Sequence, residues 1–310
     1  MKDMKKFILK LLIGGAIPCL IIILTNMLLV RTHYFQSMNG VSKFKEVPEN
    51  IQLANFGNSH SLNGFDWSDY PQYTSADLSL ASQSYVFDSA IFKQYLNHFD
   101  EDAVIVVDIS HRSLYEEDPL LEMNSRVTRY YQVLDHEYMP GWTFRNALVY
   151  DYFPILSEKT RGIRYILNDT EPQETQVESA LDINDPVKAG KNRADVFMKR
   201  IGSQELSLQY DALCEMIEIA QTENIRVLLV TVPTTSYFYE GFTPEFYDRF
   251  YSDIKTITDT YPNTAYIDYT GDERFEGLEL YRNTDHLNPD GAKVFTAAVI
   301  EDLEVLGWLP

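Results

Sequence analysis

The first thirty residues differ in pattern from the rest of the chain. Leu11 to Val30 is a run of 20 residues without a charged side chain. A helix of that length, at about 1.5 Å per residue, spans about 30 Å, the thickness of a bilayer's hydrocarbon core. Four lysines precede the run. The positive-inside rule therefore predicts a cytoplasmic N-terminus (1–10), a transmembrane anchor (11–30) and an extracytoplasmic remainder.

A cleaved signal peptide is the competing interpretation of this run. The apolar core of a signal peptide is usually about 7–15 residues long and ends at a small-x-small cleavage site. The run here is longer, and Arg31-Thr32-His33-Tyr34-Phe35 is a poor cleavage site. The pattern therefore favours an uncleaved, single-pass anchor in the cell membrane.

Beyond the anchor, strand-like and helix-like patterns alternate. Short apolar runs rich in β-branched residues predict strands at 51–56, 76–80, 103–109, 225–232 and 265–269. Apolar residues recurring every three or four positions predict helices at 87–99, 206–220 and 246–257. Asn288 and Pro289 have the character of the N-cap and first residue of a last helix. This order predicts an α/β fold, a three-layer α/β/α sandwich around a mostly parallel sheet.

The regular alternation lapses in two places. Residues 31–48 have the character of a stalk, so the extracytoplasmic domain is predicted to occupy 49–310. Residues of about 111–200 are rich in Tyr, Arg and Asp and are predicted to be an insertion carrying helices. Within it, the polar stretch 169–191 contains Pro172 and Pro186 and is predicted to be a loop.

The charge of the outer part limits the kinds of molecule that it can bind, and the cysteine and histidine content limits its disulfides and metal sites. The outer part carries 22 Lys and Arg (26 minus four) against 45 Asp and Glu (46 minus Asp3), a formal charge of −23. Such a surface disfavours nucleic acid and anionic lipid and suits solvent or a neutral or cationic partner. Cys214 is the one cysteine outside the anchor, so no intrachain disulfide is expected. No Cys or His cluster has metal-ligand spacing, and neither a metal nor another cofactor is predicted.

Two short segments carry candidate chemistry, and both follow predicted strands. Gly57-Asn58-Ser59-His60-Ser61 follows the first strand, and a Gly before a Ser at such a turn exposes the hydroxyl. His286 lies two residues before the N-cap of the last helix, where it could act as the base for a nucleophilic serine. Each segment also has a purely structural interpretation. The first could be an ordinary Ser-rich turn that caps a helix, and His286 could hydrogen-bond to loop carbonyls. In parallel sheets, however, sites form at the carboxyl ends of strands, and both segments lie there.

On these residues the sequence resembles the SGNH (GDSL-like) hydrolase family, over about residues 51–304 without the insertion. The matching segments are Phe56-Gly57-Asn58-Ser59-His60 and His286-Leu287-Asn288 with Gly291-Ala292. The resemblance implies that Ser59 is the nucleophile and His286 its base. The chain is similar in layout to a divergent, membrane-anchored branch of this family, whose members are found beside membrane-bound O-acyltransferases. The partners that the resemblance implies are a polysaccharide or teichoic-acid-like polymer and a membrane-bound O-acyltransferase.

The sequence departs from the family's pattern at three points. Asn283 stands where the family has Asp, which leaves Asn283, Asp285 and Asp268 as candidates for the third member of a triad. No Gly occurs in 77–84, where the family's oxyanion Gly is expected. Ile109-Ser110-His111-Arg112 replaces the family's Gly-x-Asn-Asp block. Residues considered for oxyanion or substrate binding are therefore Asn58, Ser79, Ser82, Ser110, His111 and Arg112.

The resulting expectation is an acyl esterase or O-acyltransferase that modifies a cell-envelope or extracellular polysaccharide through an acyl-serine. Acetyl is the first acyl group expected and D-alanyl the second. The alternative is a catalytically degenerate hydrolase-fold protein that binds polymer or docks on a membrane-bound O-acyltransferase. The departures from the family pattern favour this alternative, whereas the retained Ser59 and His286 oppose it.

Overall fold

The structure, a computed structural model, describes residues 2–38, 40–115, 125–169, 185–201 and 208–309. In the first helix, side chains are described for Met4 and for residues 14–29. The chain divides into two compact units. The sheet unit comprises Val47–Arg126 and Glu174–Pro310, and the helical unit comprises Met1–Glu46 and Val127–Gln173.

A parallel sheet forms the centre of the sheet unit. Its strands are β1 (Ile51–Phe56), β2 (Ser75–Asp77), β3 (Phe99–Asp108), β4 (Arg226–Thr231) and β5 (Thr264–Asp268). They lie in the order β2-β1-β3-β4-β5, and every neighbouring pair is parallel. Successive connections run outward in opposite directions from β1 and β3. Ligands of such doubly wound sheets bind at this switch point, outside the carboxyl ends of the strands.

The helices, in chain order, are α1 (Lys2–Leu29), α2 (Ser59–Gly64), α3 (Tyr85–Tyr95), α4 (Ser125–Thr128), α5 (Phe144–Ala147), α6 (Ile155–Glu158), α7 (Thr160–Leu167), α8 (Pro186–Arg200), α9 (Leu208–Thr222), α10 (Ser236–Tyr239), α11 (Pro244–Thr260) and α12 (Pro289–Val305). Several begin with a side-chain cap of the type read in the sequence. Asn288 accepts a hydrogen bond from the Gly291 N–H, and Pro289 occupies the first turn of α12.

The sheet is covered on both faces. Leu53 of β1 belongs to one core cluster with Phe295 and Val299 of α12. Phe56 points to the opposite face, where its ring contacts Phe92 of α3 at 5.9 Å between centroids. Helix α9 contacts α3. The predicted α/β class and parallel sheet are thereby confirmed.

Helix α8 differs from the sequence prediction. Residues 169–191 were expected to form a loop, but a helix begins at Pro186, capped by the Asp185 carboxylate on the Lys188 N–H. Residues 170–184 lie outside the described residues. Of the predicted insertion, residues 127–173 belong to the helical unit and α8 belongs to the sheet unit. The aspartate and proline at 185–186 are an ordinary helix-start signal that the polar composition outweighed in the prediction.

The helical unit is built around the end of α1. Leu29, Phe35 and Ile155 form a small buried cluster there, which joins α1 to α6. In the described part of the chain, no helix combines the length and apolar character needed to cross a membrane. Residues 11–13 of the predicted anchor lie outside the residues with described side chains.

Candidate active site

The turn after β1 requires glycine at position 57. Gly57 has a φ of +127°, which L-residues rarely adopt. A Cβ there would lie 2.8 Å from the Asp108 Cβ and 3.2 Å from the Ser61 Cβ. The Gly57 N–H donates to the buried Asp88 carboxylate at 2.9 Å. This tight packing turns the chain sharply into α2, whose first residue is Ser59.

Ser59 and His286 meet at this turn although 227 positions separate them in the sequence. The Ser59 Oγ lies 2.8 Å from the His286 Nε2. One polar contact joins their segments: the Arg282 guanidinium donates to the Asn63 Oδ1 at 2.9 Å. Within α2, the Asn63 amide in turn donates to the Ser59 carbonyl at 2.6 Å. The pair has the geometry of a nucleophile and its general base.

The other ring nitrogen of His286 faces two oxygens. Its Nδ1 lies 3.1 Å from the Asn283 Oδ1 and 3.4 Å from the Asp285 Oδ1. The Asn283 Oδ1 also accepts the Asp285 N–H at 3.1 Å, which fixes the orientation of the amide. The Nδ1 therefore carries the proton, and the Nε2 is left free to accept the Ser59 hydroxyl proton.

Asp285 supplies a buried negative charge beside this pair. The Arg193 Nε of α8 donates to its Oδ2 at 2.8 Å, and the His60 Nε2 lies 3.6 Å away. Burial acts to raise the pKa of Asp285, but the adjacent His286 and His60 outweigh it and hold the pKa well below its usual range. Burial lowers the pKa of His60 to about 4, so this imidazole is neutral at pH 7. Asp285 is thus surrounded by one guanidinium and two imidazoles.

A small cavity of about 100 Å³ opens beside the Ser59 hydroxyl. Its lining is polar except for one ring, and the residues are Asn58, Ser59, His60, Ser82, Ser110, Arg112, Arg193 and Phe197. The guanidinium carbons of Arg112 and Arg193 lie 4.7 and 4.9 Å from the centre of the Phe197 ring. Four of the predicted binding residues, Asn58, Ser82, Ser110 and Arg112, therefore share the cavity with Ser59.

Ser82 has the backbone conformation expected of a glycine. Its φ is +58°, in the left-handed region that costs most residues about 1 kcal/mol. The backbone N–H of Ser82 makes no hydrogen bond within the described residues. Ser82, a residue that lines the cavity, therefore has a glycine-like backbone in the segment where the family's oxyanion glycine was expected.

Asn58 and Ser110 form one polar wall of the cavity, and their side chains hydrogen-bond within the protein. The Asn58 amide donates to the Ser110 Oγ at 3.1 Å and to the Ser113 Oγ at 3.3 Å, and its Oδ1 caps α2 through the His60 N–H. The hydroxyls of Ser110 and Ser113 also bond to each other. Both amide protons of Asn58 are engaged, so this side chain holds the wall in place.

Other predicted residues lie away from the cavity. His111 is buried between the rings of Phe242 and Phe250, with its Nε2 3.2 Å from the Tyr247 hydroxyl. Burial lowers the pKa of His111 to about 3. It is a neutral core histidine, which agrees with strand-end packing rather than with contact to a substrate.

Ser79 and Asp268 are also engaged elsewhere. The Ser79 Oγ donates to the Asp77 Oδ1 at 2.5 Å. The Asp268 carboxylate accepts the Tyr251 hydroxyl at 2.6 Å and the Thr270 N–H at 2.8 Å. Of the three candidates for a third member, the structure brings Asn283 and Asp285 to His286.

Two buried carboxyl groups support the turn from behind, and no sequence pattern indicated them. Asp88 accepts the Gly57 N–H and the Gln83 amide, the latter at 2.6 Å, and Asp108 packs against Gly57. Burial raises the pKa of Asp88 to about 7. Burial and the charge of Asp88 raise the pKa of Asp108 well above its usual value. At neutral pH at least one of the two groups keeps its proton.

His60, Asp285 and His286 have ligand atoms within 4.8 Å of one another, close enough to share a metal ion. Their existing partners argue against this use. The His286 Nε2 bonds to Ser59, and the Asp285 Oδ2 bonds to a guanidinium whose positive charge would repel a cation. The cluster fits proton transfer better than metal binding.

Comparisons with known proteins leave the family open. No protein-family model matches the chain, and no curated protein matches it. A crystal structure from Bacteroides fragilis, described as a "putative acylhydrolase", is similar over 87% of this chain and 96% of its own. Its TM-score is 0.41 and its sequence identity is 10%. A similarity at this level has no bearing on the activity of this chain.

Proposed function

We propose that this protein is an SGNH-type serine acyl esterase or O-acyltransferase. The observation that carries the proposal is the relay from the Ser59 Oγ to the His286 Nε2, at 2.8 Å, and from the His286 Nδ1 to the Asn283 Oδ1, at 3.1 Å. A nucleophile, a base and a group that orients the base are the parts that acyl transfer needs.

The first half of the reaction acylates Ser59. The Ser59 hydroxyl gives its proton to the His286 Nε2 while the Oγ forms a bond to the acyl carbonyl carbon. The carbonyl oxygen becomes an oxyanion, and the Ser82 N–H is the candidate donor for it. The bond to the leaving oxygen then breaks, and that oxygen takes the proton from the His286 Nε2. An acyl-serine remains.

The second half returns Ser59 to its free form. A water or a sugar hydroxyl gives its proton to the His286 Nε2 and attacks the acyl carbon. The carbon–Oγ bond breaks, and the proton passes from His286 to the Ser59 Oγ. Asp285 stays ionised throughout and stabilises the imidazolium from 3.4 Å. The Asn283 amide orients the ring without a charge.

The substrate and the location belong to the proposal as well. The resemblance to membrane-anchored partners of O-acyltransferases favours a cell-envelope or extracellular polysaccharide as acceptor, with acetyl as the acyl group. A membrane-bound O-acyltransferase is the proposed partner. The described part of α1 supports a membrane location, because it leaves large apolar side chains exposed: Ile17, Leu20, Ile21, Ile23, Leu24, Met27 and Leu28.

Hydrolysis of 4-nitrophenyl acetate by the full-length protein in detergent tests the proposal. We expect a burst of one 4-nitrophenolate per protein followed by slow turnover, because release of the acyl group needs an acceptor. The Ser59→Ala and His286→Ala variants are expected to lose the burst. The matched control is Ser68→Ala, an exposed serine of the same unit, which is expected to behave as wild type.

Equal hydrolysis by Ser59→Ala and wild type would contradict the proposal. The non-catalytic alternative makes a different prediction in cells. In that case polymer acylation would stay normal when Ser59 and His286 are both replaced by Ala and would fail only when the whole gene is deleted.

A further inference from the structure

Asn26 is a polar residue inside the apolar run, and its partners are distant in sequence. Its amide nitrogen donates to the Tyr152 carbonyl at 3.1 Å, and its Oδ1 accepts the Ile155 N–H at 3.2 Å. A buried or membrane-embedded amide is costly unless its donors and acceptors are paired. Asn26 therefore fixes residues 152–155 to the side of α1.

Apolar packing continues this contact along α1. Ile22, Val30 and Tyr34 pack against the cluster of Leu29, Phe35 and Ile155. On α7, Tyr165 stacks on the Tyr34 ring at 3.9 Å between centroids, and Ile166 joins the same cluster.

Gly162 permits the close approach of α7. A Cβ at Gly162 would lie 2.8 Å from the Ile155 Cδ1 and 3.4 Å from the Leu29 Cδ2. Helices α6 and α7 are therefore packed directly against the second half of the apolar run.

This packing fixes the depth of α6 and α7 relative to α1. Ile22 lies eight residues before Val30, where the uncharged run ends. At about 1.5 Å per residue, Ile22 is about 12 Å below that end. If residues 11–30 cross a bilayer, the elements that contact Ile22 and Leu29 reach the same depth and meet the outer leaflet.

The exposed surface of these elements has the composition that such a position requires. Large apolar side chains are exposed along α5 to α7 and the turn between α5 and α6, and Leu167 is 75% exposed. They are Phe144, Leu148, Tyr152, Leu156, Ile163 and Leu167. Exposed basic residues lie between them: Arg145, Lys159, Arg161 and Arg164. Apolar side chains flanked by Lys and Arg are typical of segments at the boundary between acyl chains and anionic headgroups.

We propose that residues 144–167 form a membrane-embedded foot, inserted in the headgroup–acyl boundary of the outer leaflet beside α1. The occupant of its exposed apolar surface is phospholipid. The inference rests on the membrane location proposed above but not on the serine chemistry. It assigns part of the insertion to lipid contact rather than to the binding of polymer.

Spin-label accessibility in the full-length protein tests this inference. Cys19 and Cys214 are replaced by Ala, and single cysteines are placed by Ile163→Cys, Leu167→Cys, Leu20→Cys and Glu137→Cys. Each nitroxide-labelled protein is reconstituted into phosphatidylcholine–phosphatidylglycerol vesicles. Its collision rates with oxygen, which concentrates in lipid, and with a water-soluble nickel chelate are compared. Leu20 reports on α1, and Glu137 is an exposed acidic position of the same unit.

We expect labels at 163 and 167 to favour oxygen over nickel by several-fold, as at 20, and the label at 137 to favour nickel. Labels at 163 and 167 that behave like the one at 137, while 20 favours oxygen, would overturn the foot and leave the anchor intact. A label at 20 that also favours nickel would overturn the membrane location and the foot together. Labels at 163 and 167 shielded from both reagents would show protein contact instead of lipid and also overturn the foot.

Discussion

The His286 Nδ1 lies 3.1 Å from the Asn283 Oδ1 and 3.4 Å from the Asp285 Oδ1, so two side chains share the place of the usual aspartate. The Asn283 amide oxygen accepts a hydrogen bond from the Nδ1–H of His286 and thereby fixes the tautomer. The carboxylate gives the charge that favours the imidazolium, while Arg193 offsets part of that charge. The presence of Asn283 in place of the usual aspartate therefore does not by itself indicate an inactive site.

Replacing Asn283 with Asp tests this division. A second carboxylate at Nδ1 stabilises the protonated ring, so the acid limb of the kcat/KM profile is expected to move to higher pH. The measurement is the pH dependence of 4-nitrophenyl acetate hydrolysis. Asn283→Ala should keep the limb in place and lower kcat by about 10- to 100-fold, less than loss of a base usually costs. An unchanged profile for Asn283→Asp would show that this residue does not face the ring.

Among the secondary-structure elements, the sequence predicted the strands and the helix cap that depend on residues close together in the chain. The strands at 51–56, 225–232 and 265–269 and the cap of the last helix were within one or two residues of the observed elements. Apolar periodicity and capping residues determine these features, and both can be read within a short window.

Features that depend on tertiary contacts were not predictable in this way. Arg193 reaches the site because α8 packs over the cavity, and Asp88 and Asp108 reach Gly57 from two different elements. Ser82 has a glycine-like φ that its side chain does not signal. Ser59 and His286 could be identified because each follows a predicted strand, and parallel strands bring their carboxyl ends together.

Gly190 tests the position of α8. A Cβ at this residue would overlap the Tyr237 carbonyl oxygen of α10, so Gly190→Ala must displace one helix from the other. We expect the free energy of unfolding to fall by about 1–3 kcal/mol, as in other overpacked sites, and kcat/KM to fall as well, since α8 carries Arg193 and Phe197. Urea unfolding and ester hydrolysis measure the two effects.

Lys191→Ala is the matched control for Gly190→Ala because Lys191 is the exposed neighbour on the same helix. It should change the free energy of unfolding by less than about 0.5 kcal/mol. A Gly190→Ala variant as stable and active as this control would contradict the close packing of α8 on α10.

For the whole molecule, buried ionisable groups make the free energy of unfolding depend on pH, and the contributions of Asp88 and His111 have opposite signs. The pKa of Asp88 is raised to about 7 in the folded chain, and that of His111 is lowered to about 3. Between pH 4 and 7 the unfolded chain loses the Asp88 proton while the folded chain keeps it, so this group destabilises the fold as pH rises. As pH falls below 6.5, the unfolded chain protonates His111 and the folded chain does not, so this group destabilises the fold as pH falls.

Because these contributions oppose each other, a variant isolates one of them better than the wild-type profile does. The difference in unfolding free energy between wild type and Asp88→Asn is expected to change steadily from pH 4 to pH 7. Wild type should lose stability relative to the variant as pH rises, because only wild type has a buried carboxyl group to ionise at position 88. Urea unfolding at several pH values measures the difference, and a constant difference would contradict the raised pKa of Asp88.

The central claim is that Ser59 is a nucleophile activated by His286, and covalent labelling with a fluorophosphonate tests it most directly. Intact-mass analysis of the full-length protein should show one adduct, and peptide mapping should place it on Ser59. Ser68→Ala should label as wild type does, and His286→Ala should label far more slowly. A wild-type protein that does not label, or a Ser59→Ala variant that labels equally, would contradict the account.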